Sequence, residues 1–259
     1  MKIKTLEKEN KNVRFLLEGV NHAFANSLRR TIMSGVPTLA IEDVRFKNNT
    51  SGLFDEVLAH RLGLVPWEFD PEDLNLREEC SCEGEGCENC TVNFKLEMSG
   101  EGSVKAKHIE APQGVKPKNP ELLLIELVED QEVSVTAEGR LGKGKEHAKW
   151  QAANTAYKNY PEVKVSGDVE EAEKIAERCP GDVFKLEDGE LKVENPESCV
   201  SCYVCEKLDD NIEVKHHEDK FIFKVESISG REPEDIVNSA VESLNQKVEE
   251  FNKSLKESL

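Results

Sequence analysis

Long apolar runs are absent from this chain of 259 residues. None approaches the roughly 20 residues that a helix needs to cross a bilayer. The N-terminal segment MKIKTLEKEN also lacks the apolar core of a signal peptide. We therefore expect a cytoplasmic protein with no membrane segment, long enough to form more than one domain.

Basic residues are fewer than acidic ones. The chain contains 34 Lys and Arg residues against 52 Asp and Glu residues, which gives a formal net charge of -18. Affinity for nucleic acids rests mainly on Lys and Arg side chains that displace counterions from phosphates. This balance argues against direct nucleic-acid binding and favours partner proteins with basic surfaces.

Catalytic signatures are lacking as well. The segment 142–150, GKGKEHAKW, contains glycines and lysines but not the G-x-x-x-x-G-K-S/T pattern of a phosphate loop. The chain has no clustered Asp triad suited to two-metal catalysis and no Ser-His or Cys-His pairing that would indicate a nucleophile. We expect a protein without catalytic residues of its own.

An amphipathic helix is predicted to follow Asn21, which is a plausible N-cap. Gly35, free to adopt a left-handed conformation, and Pro37 are expected to end it. Arg29 and Arg30 lie off the apolar stripe, and on chemistry alone a solvated face is the simpler interpretation. The stripe repeats every fourth residue and consists of Phe24, Leu28 and Ile32.

Three pieces of the segment 21–66 together form a composite motif. They are the helical sequence N-x-L-R-R at 26–30, the strand LAIEDV at 39–44 and the sequence HRLGLVP at 60–66. This combination resembles the signature of the alpha-like assembly subunits of multisubunit RNA polymerases. The chain is identified as a member of the archaeal branch of this family, which is similar to the N-terminal domain of the bacterial alpha subunit and to the third-largest eukaryotic subunit.

The resemblance implies an α+β fold with a dimerisation domain built from two parts of the chain, residues 1–38 and 215–259. A β-rich domain at 39–165 and a ferredoxin-like domain at 166–214 would be inserted between these parts. The resemblance also implies a heterodimer with polymerase subunit L, which would serve as the platform for the large subunits and for the small subunits N and P. Arg29 and Arg30 would contact the large subunits, and the apolar stripe of Phe24, Leu28 and Ile32 would belong to the interface.

A first group of four cysteines has the spacing C-x-C-x4-C-x2-C. In a reducing compartment such a group indicates metal ligation rather than disulfides. Four thiolates can hold one tetrahedral zinc ion in a structural role, and the glycines of the segment permit sharp turns. An unmetallated loop is the alternative; the resemblance favours zinc, because the related eukaryotic subunit carries a zinc loop there. The predicted ligands are Cys80, Cys82, Cys87 and Cys90.

A second group combines a C-x2-C-x2-C run with a distant Cys-Pro pair. This arrangement resembles half of a bacterial-type ferredoxin, in which a cysteine before proline completes the ligand set. It predicts one four-iron, four-sulfur (4Fe-4S) cluster, with zinc or a metal-free, oxidised state as alternatives. The ligands would be Cys179, Cys199, Cys202 and Cys205.

A lone cluster without a flavin motif or a second redox centre has no obvious electron partner. A structural or redox-sensing role is therefore expected, since a unit this small rarely buries enough apolar surface to fold unaided. The competing hypothesis is a ferredoxin-type electron carrier or redox subunit. That hypothesis leaves the composite motif and the C-terminal segment unexplained.

The C-terminal segment predicts a long helix that begins at Glu232-Pro233. Its apolar residues alternate at spacings of four and three, the heptad pattern of a helix that packs lengthwise on another helix. An ordinary core helix is the alternative, but little chain remains to cover this face. The resemblance assigns it to subunit L. The apolar residues are Val237, Val241, Leu244, Val248, Phe251 and Leu255.

Alternation and turn signals predict further elements. The loop at 142–150 either contacts neighbouring subunits through Lys145, His147, Lys149 and Trp150, as the resemblance suggests, or holds a packed Trp with surface lysines. The other predictions are strands at 1–6 and 13–17, a helix within 53–64, strands near 92–96, 104–109 and 122–127, a helix at 169–176, a hairpin at 183–193 turning at Asp188-Gly189, and a strand at 221–225.

Overall fold

The computed structural model describes residues 1–258 and shows a mixed fold of several sheets and few helices. The strands are β1 (Lys2–Glu9), β2 (Asn12–Glu18), β3 (Pro37–Asn49), β4 (Trp67–Glu68), β5 (Val92–Ser99), β6 (Gly102–Lys105), β7 (Lys116–Pro117), β8 (Leu123–Leu127), β9 (Glu132–Lys143), β10 (Ala153–Val165), β11 (Phe184–Glu187), β12 (Glu190–Val193) and β13 (Ile212–Ser227). The helices are α1 (His22–Ser34), α2 (Asp55–Gly63), α3 (Ala172–Arg178), α4 (Val204–Leu208) and α5 (Pro233–Ser258).

The chain divides into two compact units. The first contains Met1–Glu9, Val13–Ser27 and Ala156–Lys224, and the second contains Asn10–Asn12, Leu28–Thr155 and Val225–Leu259. Each unit therefore combines segments that are distant in sequence. None of the helices within residues 1–258 is long and apolar enough to cross a membrane.

The first unit is built on a four-stranded sheet with the order β1-β2-β13-β10. Its core is aromatic: the rings of Phe15 and Phe223 stack with centroids 5.1 Å apart, and Tyr157 meets Phe221 edge to face at 5.4 Å. The predicted strands at 1–6 and 13–17 are confirmed as β1 and β2, which are neighbours in this sheet. Strand β13 is much longer than the predicted strand at 221–225, because pairing with neighbouring strands extends it through the polar sequence KHHEDK.

The same unit contains a small cysteine-bearing region formed by α3, β11, β12 and α4. The predicted hairpin at 183–193 is confirmed, and Asp188 and Gly189 have φ values of 54° and 84°. Two successive residues with positive φ form the tight turn that matches the twist of paired strands. The region has its own apolar core, which consists of Ala172, Ile175, Val183, Phe184, Leu191, Cys199, Ile212 and Val214.

The second unit contains an antiparallel sheet with the order β3-β9-β5 and the smaller pairs β4-β7 and β6-β8. Alternate residues of β5 are buried, as the sequence pattern predicts, and Phe94 packs against Trp67 with ring centroids 4.4 Å apart. The predicted helix within 53–64 is confirmed as α2. Leu58 and Leu62 of α2 are fully buried in this core.

The predicted cap of α1 is confirmed, because the Asn21 side-chain oxygen accepts a hydrogen bond from the Phe24 amide at 2.9 Å. Helix α1 ends at Ser34, just before Gly35, as predicted, but Gly35 does not adopt the left-handed conformation, since its φ is not positive. A Cβ atom at Gly35 would instead lie 2.8 Å from the Thr31 methyl group and 3.1 Å from the Thr31 carbonyl oxygen. Glycine is needed there for close packing against the last turn of the helix.

Gly230 lies against the backbone of Trp67 and leaves no room for a side chain. A Cβ atom at this position would overlap the carbonyl group of Trp67, whereas a Cβ atom at Gly52 would meet no heavy atom within 4 Å. Gly230→Ala is therefore expected to lower the free energy of unfolding by roughly 2–4 kcal/mol through enforced backbone displacement. Denaturant unfolding of both variants checks this, and an equal effect of Gly52→Ala would contradict it.

Candidate metal centre and interaction surfaces

The first cysteine quartet comes together in the second unit. The Sγ atoms lie 3.5 Å apart for Cys80 and Cys87, 3.6 Å for Cys82 and Cys90, and 3.9 Å for Cys87 and Cys90. Four sulfurs arranged tetrahedrally at the Zn–S bond length of about 2.3 Å are about 3.8 Å from one another. The observed separations therefore fit one tetrahedral ion.

The backbone between these cysteines folds tightly. Glu83, Gly84 and Gly86 have φ values of 55°, 86° and 98°, which reverse the chain between the first and second cysteine pairs. The amides of Glu83 and Cys90 donate to the carbonyl oxygens of Cys80 and Cys87, at 3.1 Å and 3.0 Å. These turns point the sulfurs inward, and they explain why glycines occupy this segment.

Neighbouring sulfurs shift the pKa values of Cys82 and Cys87 in opposite directions. The Gly86 amide is the main cause that lowers the pKa of Cys82 to about 6. An amide hydrogen bond at Asn89 lowers the pKa of Cys87, but the adjacent sulfurs and desolvation outweigh it and raise that pKa to about 12. The group cannot ionise fully without compensation. A coordinated metal ion would remove this conflict, because it deprotonates the thiols that bind it.

The second quartet lies in the first unit. Cys199 is buried, Cys179 and Cys205 are half-buried against the same apolar core, and Cys202 is exposed. A Cβ atom at Gly181 would overlap the Ser198 carbonyl group, so the Cys179-Pro180-Gly181 turn packs directly on the backbone that leads into Cys199.

The two quartets differ in how closely their sulfurs approach. Within residues 1–258, the first quartet is the group of ligating side chains whose ligand atoms all lie within 4.8 Å of one another. A four-iron cluster binds each cysteine through a different iron atom, so its ligands stand farther apart than those of a single ion. The second quartet forms no such close group within residues 1–258, and a cluster does not require one. None of the eight cysteines forms a disulfide bond.

The backbone geometry of the loop at 199–205 suits a loop that presents cysteine ligands. Ser201 and Tyr203 have φ values of 57° and 56°, and the Ser201 amide donates to the Cys199 sulfur at 3.4 Å. Amide donors of this kind stabilise thiolate ligands. Burial raises the pKa of the Cys205 thiol, and the thiolates of Cys199 and Cys202 raise it further.

Lys158 is not among the site residues that the sequence predicts. Its Nζ atom, on β10, donates to the Cys199 carbonyl oxygen at 2.7 Å. Burial lowers the pKa of the Lys158 ammonium group, and the Cys199 thiolate acts in the opposite direction. A single lysine in a strand carries no signal in the sequence, because the contact depends on a loop that is distant along the chain.

The buried face of α1 differs from the predicted stripe. Leu28 and Ile32 lie in the core of the chain together with Ala25, whereas Phe24 remains 37% exposed. At 100° per residue, Ala25, Leu28 and Ile32 share one face and Phe24 lies on its flank. Leu28 and Ile32 therefore pack within the chain, and Phe24 is the member of the stripe that reaches the surface.

The two adjacent arginines of α1 have different surroundings. Arg29 is half-buried and its Nη1 atom lies 3.2 Å from the Met33 sulfur, while Arg30 is exposed. Both side chains leave the buried face, as the sequence predicts. Arg30 is the more accessible of the two for contact with another protein.

The predicted heptad face of α5 is largely uncovered. Among the described residues of the helix, those that are buried lie in its first turns and are Pro233, Ile236 and Ala240. Val237 and Leu244 are half-buried, and Val241 and Leu255 are exposed. Val248 and Phe251 are 58% and 66% exposed. An apolar face of this length on the surface indicates a protein interface.

The loop at 142–150 contains a packed tryptophan. Trp150 is buried, with Arg140 and Lys149 over its ring at 4.2 Å and 4.5 Å. Lys149 also forms an ion pair with Glu42. Of the four predicted contact residues, Trp150 and Lys149 therefore make contacts within the chain, whereas Lys145 and His147 are exposed.

Comparison with known proteins agrees with this architecture. Residues 44–160 match the family described as the RNA polymerase Rpb3/RpoA insert domain, which defines the class as an alpha-like polymerase subunit. DNA-directed RNA polymerase subunit Rpo3 of Methanosphaera stadtmanae is 40% identical, with 96% of each chain covered. The Rpo3 proteins of Methanothermobacter thermautotrophicus (40% identical, 96% of this chain and 97% of that one) and Thermococcus kodakarensis (35%, 97% and 96%) are similar over nearly their full lengths. The chain belongs to the Rpo3 family of DNA-directed RNA polymerase subunits.

Removing one ligand of the first quartet tests the metal centre. Cys90→Ser is expected to lose most of the bound zinc, because three sulfurs no longer complete the tetrahedral site. Ser81→Ala, in the same loop, is expected to retain about one zinc ion per chain. Metal analysis of the purified variants measures both. Full zinc retention in Cys90→Ser, or no zinc in the unaltered chain, would contradict the assignment.

Proposed function

We propose that this chain is a non-catalytic assembly subunit of archaeal DNA-directed RNA polymerase. The observation that carries the proposal is the uncovered apolar face of α5, in a chain whose relatives are named polymerase subunits along nearly their whole length. An assembly subunit needs extended contact surfaces rather than a reactive pocket. The polymerisation chemistry resides in other subunits.

The first partner is the small polymerase subunit L, which covers α5. A helix of 26 residues is about 39 Å long at about 1.5 Å per residue. Each Å² of apolar surface that the partner buries contributes about 25 cal/mol to the favourable free energy of association. The alternate spacing of the apolar residues suits a second helix that runs lengthwise along α5.

The two parts of the dimerisation domain are residues 1–38 and 215–259. The match of residues 44–160 to an insert-domain family supports an insertion at 39–165, and the cysteine-bearing region with its own small core supports a ferredoxin-like insertion at 166–214. The dimerisation domain contains α1 and α5, which present the interface. Both insertions extend from this domain.

The heterodimer serves as the platform for the large polymerase subunits and for the small subunits N and P. Arg30 and Arg29 provide directional contacts to the large subunits, because guanidinium groups form paired hydrogen bonds with carboxylates. The net charge of -18 supports protein partners rather than direct binding of nucleic acid.

The two cysteine quartets hold different cofactors. The first holds a structural zinc ion, since four sulfur ligands leave no open position for substrate. The second holds one 4Fe-4S cluster, which stabilises a region with few buried residues. A ferredoxin-type electron carrier would also use the second quartet, but it would have no use for the apolar face of α5.

Substitution on the exposed face of α5 tests the partner assignment. Phe251→Asp is expected to abolish copurification of a small partner subunit with the tagged chain, because burial of a charge opposes association. Asn245→Asp, also exposed on α5, is expected to preserve it. Equal recovery of the partner with both variants would contradict the assignment. Recovery of the unaltered chain as a free monomer without polymerase would contradict the assembly function itself.

Charge reversal on α1 tests the contact with the large subunits. Arg29→Glu combined with Arg30→Glu is expected to preserve the heterodimer and to reduce recovery of the large subunits by about tenfold, equivalent to about 1.4 kcal/mol. Lys207→Glu, an exposed basic residue on α4, serves as the control. Pull-down with quantified subunit recovery measures the effect. Loss of the heterodimer in the arginine variant would assign the arginines to the small-partner interface instead.

A further inference from the structure

Lys158 is a half-buried cation that makes no ion pair with a carboxylate of residues 1–258. Its Nζ atom contacts the Cys199 carbonyl oxygen at 2.7 Å. Partial removal of an ammonium group from water costs free energy, so such a group normally has a negative partner.

Cys199, whose carbonyl oxygen Lys158 contacts, belongs to the second cysteine quartet. Four thiolates bound to an iron–sulfur cluster carry a net negative charge, and nearby charges affect its properties. Lys158 projects from β10, in the four-stranded sheet, to the backbone of the first cysteine of the C-x2-C-x2-C run. The contact thus connects the ligand loop with the sheet.

We propose that Lys158 is a positioning residue that fixes the Cys199 loop and supplies positive charge to the cluster bound by the second quartet. The inference rests on the cofactor assigned above. Its two parts are separable: the hydrogen bond orders the loop with or without metal, and the charge favours the more reduced state of the bound cluster.

Three substitutions of the lysine separate these parts. Lys158→Met removes both the donor and the charge, Lys158→Gln removes the charge but keeps a donor, and Lys158→Arg keeps both. Lys164→Met is the matched control, because Lys164 lies on the same strand, is largely exposed and pairs with Glu162. It removes the same net charge away from the Cys199 loop.

The first measurement is the rate at which a maleimide modifies Cys199 in the metal-free chain, with the site identified by mass spectrometry. Lys158→Met is expected to increase this rate several-fold, because the loop is no longer held to the sheet. Lys158→Gln, Lys158→Arg and Lys164→Met are expected to stay close to the unaltered chain. An unchanged rate in Lys158→Met would overturn the positioning role.

The second measurement is the reduction potential of the anaerobically purified, iron-loaded chain. Lys158→Met and Lys158→Gln are expected to shift it to lower values, because loss of a nearby positive charge disfavours the added electron. Lys158→Arg is expected to preserve it. Unchanged potentials, or an equal shift in Lys164→Met, would overturn the charge role. Absence of iron from the unaltered chain would refute the cofactor itself, and the labelling measurement would still decide the positioning role.

Discussion

Backbone pairing between strands from opposite ends of the chain is the constraint on which the remaining structure depends. Strand β13 lies between β2 and β10, and the Gly19 amide donates to the Asp219 carbonyl oxygen at 2.8 Å. The stacked rings of Phe15 and Phe223 belong to the same two strands. Because these strands must meet, the chain between β2 and β13 leaves the sheet and returns to it. The segment between β2 and β13 forms the sheet β3-β9-β5 and the pairs β4-β7 and β6-β8 before the chain reaches β13.

Helix α5 has a buried beginning and an exposed apolar C-terminal part. Its early residues Ile236 and Ala240 are fully buried, whereas Val248 and Phe251 are more than half exposed. Most helical stability in proteins comes from packing of an apolar face rather than from intrinsic propensity. The C-terminal part of α5 therefore has few stabilising contacts within residues 1–258, and a partner that covered this face would supply them.

The two cysteine quartets are assembled in different ways. The first lies in one short loop, where turns at Gly84 and Gly86 place the sulfurs at separations suited to a single ion. The second combines Cys179 at the end of α3 with a separate loop, and it depends on packing at Gly181 and on the Lys158 contact. A site of the second kind is sensitive to the surrounding fold, because its ligands come from different elements.

The sequence by itself determined the features that depend on neighbouring residues. The Asn21 cap, the Asp188-Gly189 turn, the helix start at Pro233 and the compact first quartet are local, because each involves groups within about ten residues along the chain. Most strands and helices follow in the same way from apolar periodicity. The apolar spacing of α5 likewise predicted a face that the chain itself does not cover.

Tertiary structure alone decided which parts of these patterns are buried and where long strands end. It placed Ala25 rather than Phe24 in the core, extended β13 through a polar sequence and gave Gly35 a packing role. It also brought Lys158 to the Cys199 loop. The physical reason is that burial, strand pairing and buried charge depend on contacts between distant segments, whose geometry is absent from any local pattern of residues.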